Sequence, residues 1–326
     1  MARMCGLVGI VQGCAAPGEP AAEAGEGRAL RRMAAALRHR GPDGEGFFTG
    51  TGTGPRLRVF LGHLRLAIFD PSAAASQPMT DPSGRYTIIF NGAIYNYVEL
   101  LSELGLPGGR SDTAALLAAW AAWGPGCLGR CNGMFAFALW DAGEQALYLG
   151  RDRFGEKPLY YSTAASPSPA GRPSRLIFAS GIKALIASGL IAARPDPQLL
   201  AEFLATRDID HYPERTLFQG IAQVPPGCYL HLGAAASAPQ LVRYYQLPPP
   251  PEPGARRLFD DSLVQEARAL LGDAVRLRLR GDAALGGSLS GGLDSSLVTA
   301  LAVGATPAYR VFISEFRDAQ EPGDES

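Results

Sequence analysis

The chain is short of charge, of histidine and of paired cysteines, and it contains no long apolar run. Its apolar stretches are broken by Gly or by charge well before the ~18 residues that a membrane helix needs, which excludes a spanning segment of that kind. With 30 basic and 31 acidic residues, the net charge of −1 offers no electrostatic attraction to nucleic acid or anionic membrane. The five cysteines (Cys5, Cys14, Cys127, Cys131, Cys228) are odd in number and scattered, unlike a disulfide framework. Cys127 and Cys131 have C-x3-C spacing, but no second pair or His accompanies them, so they read as packed thiols and not as a zinc site. His39, His63, His211 and His231 form no metal motif either and read as surface or satisfied core residues; no metal is expected. The start shows no basic segment followed by an apolar core, so a soluble cytoplasmic protein is the expectation.

What is present is a globular composition, 47% hydrophobic and 19% charged over 326 residues, enough for two domains with separate cores. Residues 13–27 are loop-like, and a helical pattern follows at 28–38. Strand-like runs come next, "RLRVFLGHLRLAIFD" and "YTIIFNG", then "MFAFALWD" and "QALYLGRD" as a hairpin around Ala142, Gly143 and Glu144. Helical stretches at 96–104 and 112–122 lie between them. Hairpins with helices between predict α+β layers, not a doubly wound parallel sheet.

"LPPPPEPGARR" marks a break, because four consecutive prolines favour an extended spacer. Beyond it, Ser262 and Gln265 have the spacing of a capping box, and apolar residues from Leu263 to Val275 share one helix face. A second domain therefore starts near residue 257. Its motif is "SLSGGLDSS", a strand running through a Gly turn into a helix. Gly291 and Gly292 let backbone approach an anion, and Ser290, Ser295 and Ser296 add donors. The alternative is an ordinary Gly-rich turn capping a helix. No Lys follows the glycines, so this is not a Walker A loop. The full string resembles the pyrophosphate loop of the ATP pyrophosphatase group.

Cys5, in "MCGLVGI", reads either as a small strand residue or as a nucleophile. A free thiol, pKa ~8.5, is mostly protonated at neutrality and needs a base. An N-terminal Cys has one in its own α-amine, pKa ~8, provided that nothing precedes it. Arg65, amid apolar residues, suits a carboxylate or packs its stem along a strand. Asn91 and Gly92 suit an oxyanion hole or a turn. Asp112 sits where a helix begins and either caps it or receives an ammonium group.

In order, "MCGLVGI", "RHRGPDGEG", "GHLRLAIFD", "SQPM", "FNGAIYNY", "SDT", "NGMFAFALWD", "RDRFGEKPLYY", "TLFQGIAQVPPGCYL" and "LSGGLDSS" resemble the glutamine-hydrolysing asparagine synthetase family over essentially the whole chain. No catalytic role follows from the residues of "RHRGPDG" or "RDRFGEKPLYY" themselves. The resemblance implies a four-layer α/β/β/α N-terminal-nucleophile glutaminase at 1–190, a connector with the Pro-rich linker at 191–256, and the start of an α/β ATP-pyrophosphatase-type domain at 257–326. It implies Cys5 as nucleophile, Asn91 and Gly92 as oxyanion hole, Arg65 for the glutamine α-carboxylate, Asp112 for its α-ammonium, and Leu66 and Ile68 as pocket-lining backbone. Ser290, Gly291, Gly292, Asp294 and Ser295 match the pyrophosphate loop. The implied small molecules are glutamine, ATP with Mg2+, and aspartate or another carboxylate acceptor; a homodimer is left open, and a non-catalytic remnant is the competing reading. The chain departs from the family pattern in three ways. Ala93 stands where the family usually has Glu, leaving Asp112 to hold the ammonium. Three residues precede Met4, so translation from Met4 is the expectation. The sequence stops at Ser326, short of the rest of a synthetase, so asparagine synthesis by this polypeptide alone is not expected.

Overall fold

The computed structural model describes residues 4–13, 20–51, 57–68, 70–106, 108, 111–163, 175–208, 212–234, 236, 238–250 and 259–314. Cys14, His211, residues 251–258 of the proline-rich stretch and residues 315–326 lie outside them. The chain divides into one unit of Met1–Ala67 and Ser72–Leu247 and another of Ile68–Pro71 and Pro248–Ser326.

The first unit begins β1 (Gly6–Gly13), α1 (Pro20–Leu37), β2 (Gly44–Thr51), β3 (Leu57–Arg65), β4 (Met79–Thr80) and β5 (Tyr86–Ile94). It continues through α2 (Tyr97–Glu103), α3 (Asp112–Trp123), β6 (Gly133–Asp141), β7 (Ala146–Arg151), β8 (Tyr160–Ser162) and β9 (Arg175–Ala179). It ends with α4 (Ile182–Ala187), α5 (Pro197–Thr206), β10 (Ala222–Gln223), β11 (Cys228–Gly233) and β12 (Gln240–Arg243). The strands form two six-stranded sheets, ordered β10-β8-β9-β1-β3-β2 and β12-β11-β7-β6-β5-β4, and the pairings within them are antiparallel.

Side-chain alternation builds the layers, because successive residues of a strand face opposite sides. Leu7 and Val11 of β1, Val59 and Leu61 of β3, Ile89 of β5 and Ala136, Ala138 and Trp140 of β6 fill one cluster between the sheets. Their neighbours face outward. Val8, Ile10 and Phe60 pack with Leu30, Met33 and Leu37 of α1 and with Leu185 of α4. Ile88, Phe90, Phe135 and Phe137 pack with Leu116 and Trp120 of α3. The result is the α/β/β/α sandwich.

Three expectations are corrected. Residues 20–27 are helical, not loop: Pro20 stands first in α1, where a missing N–H costs nothing, and Ala and Glu favour the helix that follows. Residues 191–247 are not a connector. β10 pairs with β8 and β11 with β7, and buried Cys228, Leu230 and Leu232 alternate along β11 to close the core. Asp260, not Ser262, caps the first helix of the second unit: its carboxylate accepts from the Leu263 N–H at 2.9 Å, and Ser262 donates to it at 2.7 Å. That unit contains α6 (Asp261–Arg278), β13 (Gly286–Ser288), α7 (Leu293–Ala305) and β14 (Arg310–Phe312), with β13 and β14 parallel.

One polar residue of the inner row ties the sheets together. His63 of β3 is buried, and its Nε2–H donates to the Phe90 carbonyl of β5 at 3.0 Å. Burial lowers its pKa from 6.5 to about 4. The unfolded chain therefore takes up a proton at this residue near pH 6.5 while the fold does not, and stability is lost as pH falls from 6.5 towards 4. Buried Asp112, raised from 3.8 to about 6, acts in the opposite sense between pH 6 and 3.8, so the His63 contribution is read against a variant. Relative to His63→Gln, the wild type is expected to lose about 2–3 kcal/mol of urea-unfolding free energy between pH 7 and 4.5. Parallel stability curves would show that His63 is protonated in the fold.

Candidate active site

The inner rows that carry Leu7 and Val11, Val59 and Leu61, and Ile89 extend by strand parity to Cys5, Arg65 and Asn91. β1 begins where β3 ends, since Gly6 pairs with Leu64. Cys5 and Arg65 thus fall at the same edge of the sandwich.

The Cys5 sulfur accepts from the Leu66 N–H at 3.3 Å and lies 3.6 Å from the Leu66 carbonyl oxygen. Burial pushes the thiol pKa up from its ordinary value and Asp112 adds to this, while the Leu66 N–H, Arg65 and Arg40 oppose it. The thiol is therefore kept protonated by its surroundings and needs a base to react.

Asn91 is buried on β5, and its Nδ2 has no hydrogen-bond partner among the described residues. A buried donor left unsatisfied costs about 1–3 kcal/mol, which marks it as available for an incoming oxygen. Gly92 is required by packing as well: a Cβ there would stand 2.2 Å from the Met134 carbonyl oxygen of β6. Asp112 does not cap α3. Ser111 does, accepting from the Ala114 N–H at 3.2 Å. That leaves the Asp112 carboxylate, buried, to accept from the N–H groups of Ile94 at 3.1 Å and Thr113 at 2.7 Å. Burial holds its pKa up to about 6. Gln77, from "SQPM", links the two elements: its Oε1 accepts from the Phe90 N–H at 2.6 Å and its Nε2 donates to Thr113 at 3.2 Å. Ala93 is buried on β5 and adds no charge.

Arg65 donates from Nη1 to the Ser72 carbonyl at 2.9 Å. Ile68 belongs to the short stretch that groups with the second unit.

Sequence reasoning assigned no role to "RHRGPDG" or "RDRFGEKPLYY", and both build the surroundings of Cys5. Arg40 donates from Nε to the Cys5 carbonyl at 3.1 Å, while its own carbonyl accepts from the Met4 N–H at 3.1 Å. Gly41 lies where a Cβ would be 2.3 Å from the Leu64 carbonyl, so no side chain fits. Asp43 accepts from the Ala67 N–H at 2.9 Å and donates its own N–H to the Arg65 carbonyl at 2.9 Å, fixing the strand end that carries Leu66. In the second motif, fully buried Asp152 accepts from the N–H groups of Phe135, Phe154, Glu156 and Lys157 at 3.0–3.1 Å. That turn delivers Lys157, whose Nζ lies 3.3 Å from the Met4 sulfur. The signal was the motifs' concentration of Gly, Asp and Arg. The partners are distant in sequence and could not be read from it.

In the second unit, the loop between β13 and α7 brings the predicted residues together. Gly291 has φ +82° with open space around it, and Gly292 is the N-cap of α7. Ser295 donates to the Gly292 carbonyl at 3.1 Å, and its hydroxyl lies 3.1 Å from that of Ser290. Asp294 stands in the first turn of α7 and, like Ser290, is exposed. The positive-φ glycine, the two hydroxyls and the first N–H groups of the helix form a donor set suited to a pyrophosphate.

A family model described as a glutamine amidotransferase domain matches residues 4–245, and one described as asparagine synthase matches 266–326. Asparagine synthetase (glutamine-hydrolysing) 3 of Bacillus subtilis is 34% identical over 86% of this chain and 43% of its own length. Asparagine synthetase (glutamine-hydrolysing) 1 of the same organism is 32% identical over 95% and 45%. The chain spans about half the length of the curated relatives it matches. A solved glutamine phosphoribosylpyrophosphate amidotransferase from B. subtilis superposes with a TM-score of 0.50 at 16% identity, covering 97% of this chain and 67% of its own, which is a likeness of fold. With matches to both halves of the family pattern, in order and along the same chain, this protein belongs to the glutamine-hydrolysing asparagine synthetase family.

Proposed function

We propose that the first unit hydrolyses glutamine to glutamate and ammonia, with Cys5 as an N-terminal nucleophile. The observation that carries this reading is the pairing, on inner rows of the same sandwich, of a half-buried Cys5 thiol with a buried amide donor, Asn91 Nδ2, that has no partner among the described residues. With Cys5 first in the chain, its α-amine takes the thiol proton as sulfur bonds to the side-chain amide carbon. Asn91 Nδ2–H and the Gly92 N–H receive the oxyanion. The amine returns the proton to the departing nitrogen, so ammonia leaves and a thioester remains. Water then attacks the thioester, giving up its proton by way of the same amine, and glutamate is released. Arg65 receives the glutamine α-carboxylate and Asp112 its α-ammonium, and the Leu66 backbone lines the pocket.

In the second unit, Ser290, Gly291, Gly292, Asp294 and Ser295 would hold the phosphates of ATP with Mg2+, as the donor set at the start of α7 supports. When bound, ATP supplies activation of a carboxylate, aspartate on this reading, for attack by ammonia from the first unit. The domain boundary on this reading falls near Leu247.

Protein translated from Met4, in which methionine removal leaves Cys5 first, is expected to release ammonia from glutamine. Protein translated from Met1 and the Cys5→Ala variant are expected not to. Equal release from the Met1 and Met4 forms would sink the N-terminal-nucleophile reading. Asp112 provides an independent check. Its pKa of about 6 in the free enzyme means that it loses charge as pH falls through 6. The KM for glutamine should then rise about tenfold per unit below pH 6. Asp112→Asn should raise KM roughly a hundredfold and abolish that dependence; a KM profile identical to wild type would remove Asp112 from the ammonium site.

A further inference from the structure

Lys157 is a buried ammonium with little to satisfy it. It is 8% exposed, and its one recorded hydrogen-bond partner among the described residues is the thioether of Met4, a weak acceptor. Its position is not accidental. Four backbone N–H groups converge on Asp152 to form the turn, and Arg151 locks that turn from outside, donating to the carbonyls of Lys157 at 2.9 Å and Gly155 at 2.7 Å. Arg40 also reaches this segment: its Nε donates to the Cys5 carbonyl, and its buried Nη2 has no partner among the described residues. Two motifs more than a hundred residues apart thus bring one cation to the Cys5 carbonyl and another to the Met4 side chain.

We propose, on the reading that Cys5 acts with a free α-amine, that Lys157, backed by Arg40, is a positioning cation that keeps this amine in its neutral, proton-accepting form. An ammonium beside a second amine disfavours protonation of that amine and can donate a hydrogen bond to its lone pair. Removing Met4 takes away the thioether that Lys157 faces, and the new amine arises at the adjoining residue. The charged groups facing Cys5 are Asp112, Arg65 and Arg40, and the titratable and charged groups facing Lys157 are Glu156, Arg40, Asp152 and the Cys5 thiol. Three carboxylates, Asp112, Glu156 and Asp152, stand against the three cations Arg40, Arg65 and Lys157 in these surroundings, and Asp152 is saturated by four amide N–H groups, so removal of Lys157 leaves the carboxylates in excess around the amine. Burial also lowers the pKa of Lys157 from its ordinary 10.5, and the neighbouring carboxylates work to keep it charged.

The test uses the full chain translated from Met4, with 15N-labelled cysteine. NMR gives the titration of the Cys5 amine directly, and the upper acid limb of kcat/KM for glutamine gives it through turnover. In Lys157→Met, and in Lys157→Gln as a polar alternative, both are expected to move up by about one pH unit, a tenfold loss of kcat/KM at pH values below the limb. Lys157→Arg, which keeps the charge, should leave the limb where the wild type has it. An amine titration unchanged in both neutral variants, with kcat/KM lowered equally at every pH, would overturn the proposal and make Lys157 a packing residue. The amine titration also separates this inference from the glutaminase reading: a Lys157-dependent amine pKa without ammonia release would sink that reading and leave this one standing.

Discussion

Two sheets packed face to face leave no water for the side chains between them, so every polar group on an inner row must find a partner or be held ready for a ligand. The first unit obeys this constraint along most of its length by filling the rows with Leu, Val, Ile, Ala and Trp. Cys5, His63, Arg65 and Asn91 gather towards one edge, where β1 begins and β3 and β5 end. His63 spends its Nε2–H on the Phe90 carbonyl and so couples the sheets. One residue further along β5, Asn91 has a donor with no partner among the described residues. The cross-sheet bond sets the spacing, and the adjacent position makes use of it.

How much of this was legible in the sequence depends on where each residue finds its partner. Alternating runs such as "YTIIFNG" announced strands, and "MFAFALWD" with "QALYLGRD" announced the hairpin, because neighbours within a strand determine the pattern. Cys5, Asn91 and Asp112 stood out as polar or reactive residues at element ends. The roles of Arg40, Asp43 and Lys157 were invisible, because their partners are a backbone carbonyl 35 residues away, an amide 24 residues away and a side chain 153 residues away. β10–β12 went unread for a related reason. They are short, and only pairing makes them strands, β10 with β8, β11 with β7 and β12 with β11.

Local competition explains the finer differences. Ser262 and Gln265 satisfied the spacing of a capping box, yet Asp260 took the cap, since a carboxylate accepts more strongly and Ser262 could donate to it. At Asp112 the outcome was reversed. Ser111 supplied the cap and freed the carboxylate, which then sits buried at the helix N-terminus, bound by two N–H groups and still raised to about 6. A carboxylate so placed is poised to gain from an arriving cation, because a partner removes much of the cost of its ionisation.

The same burial works against Cys5. Its thiol is held above its ordinary pKa, and Arg65 and Arg40 only partly offset the desolvation. A mechanism that waited for a standing thiolate would find little of it near neutral pH. The proton must leave as the sulfur attacks, and that requires a base held within a hydrogen bond's reach at all times. An amine two covalent bonds from the Cβ of the same residue meets the requirement without any loop having to be positioned for it. What remains for the fold is to keep that amine uncharged, and desolvation together with a neighbouring ammonium both work in that direction.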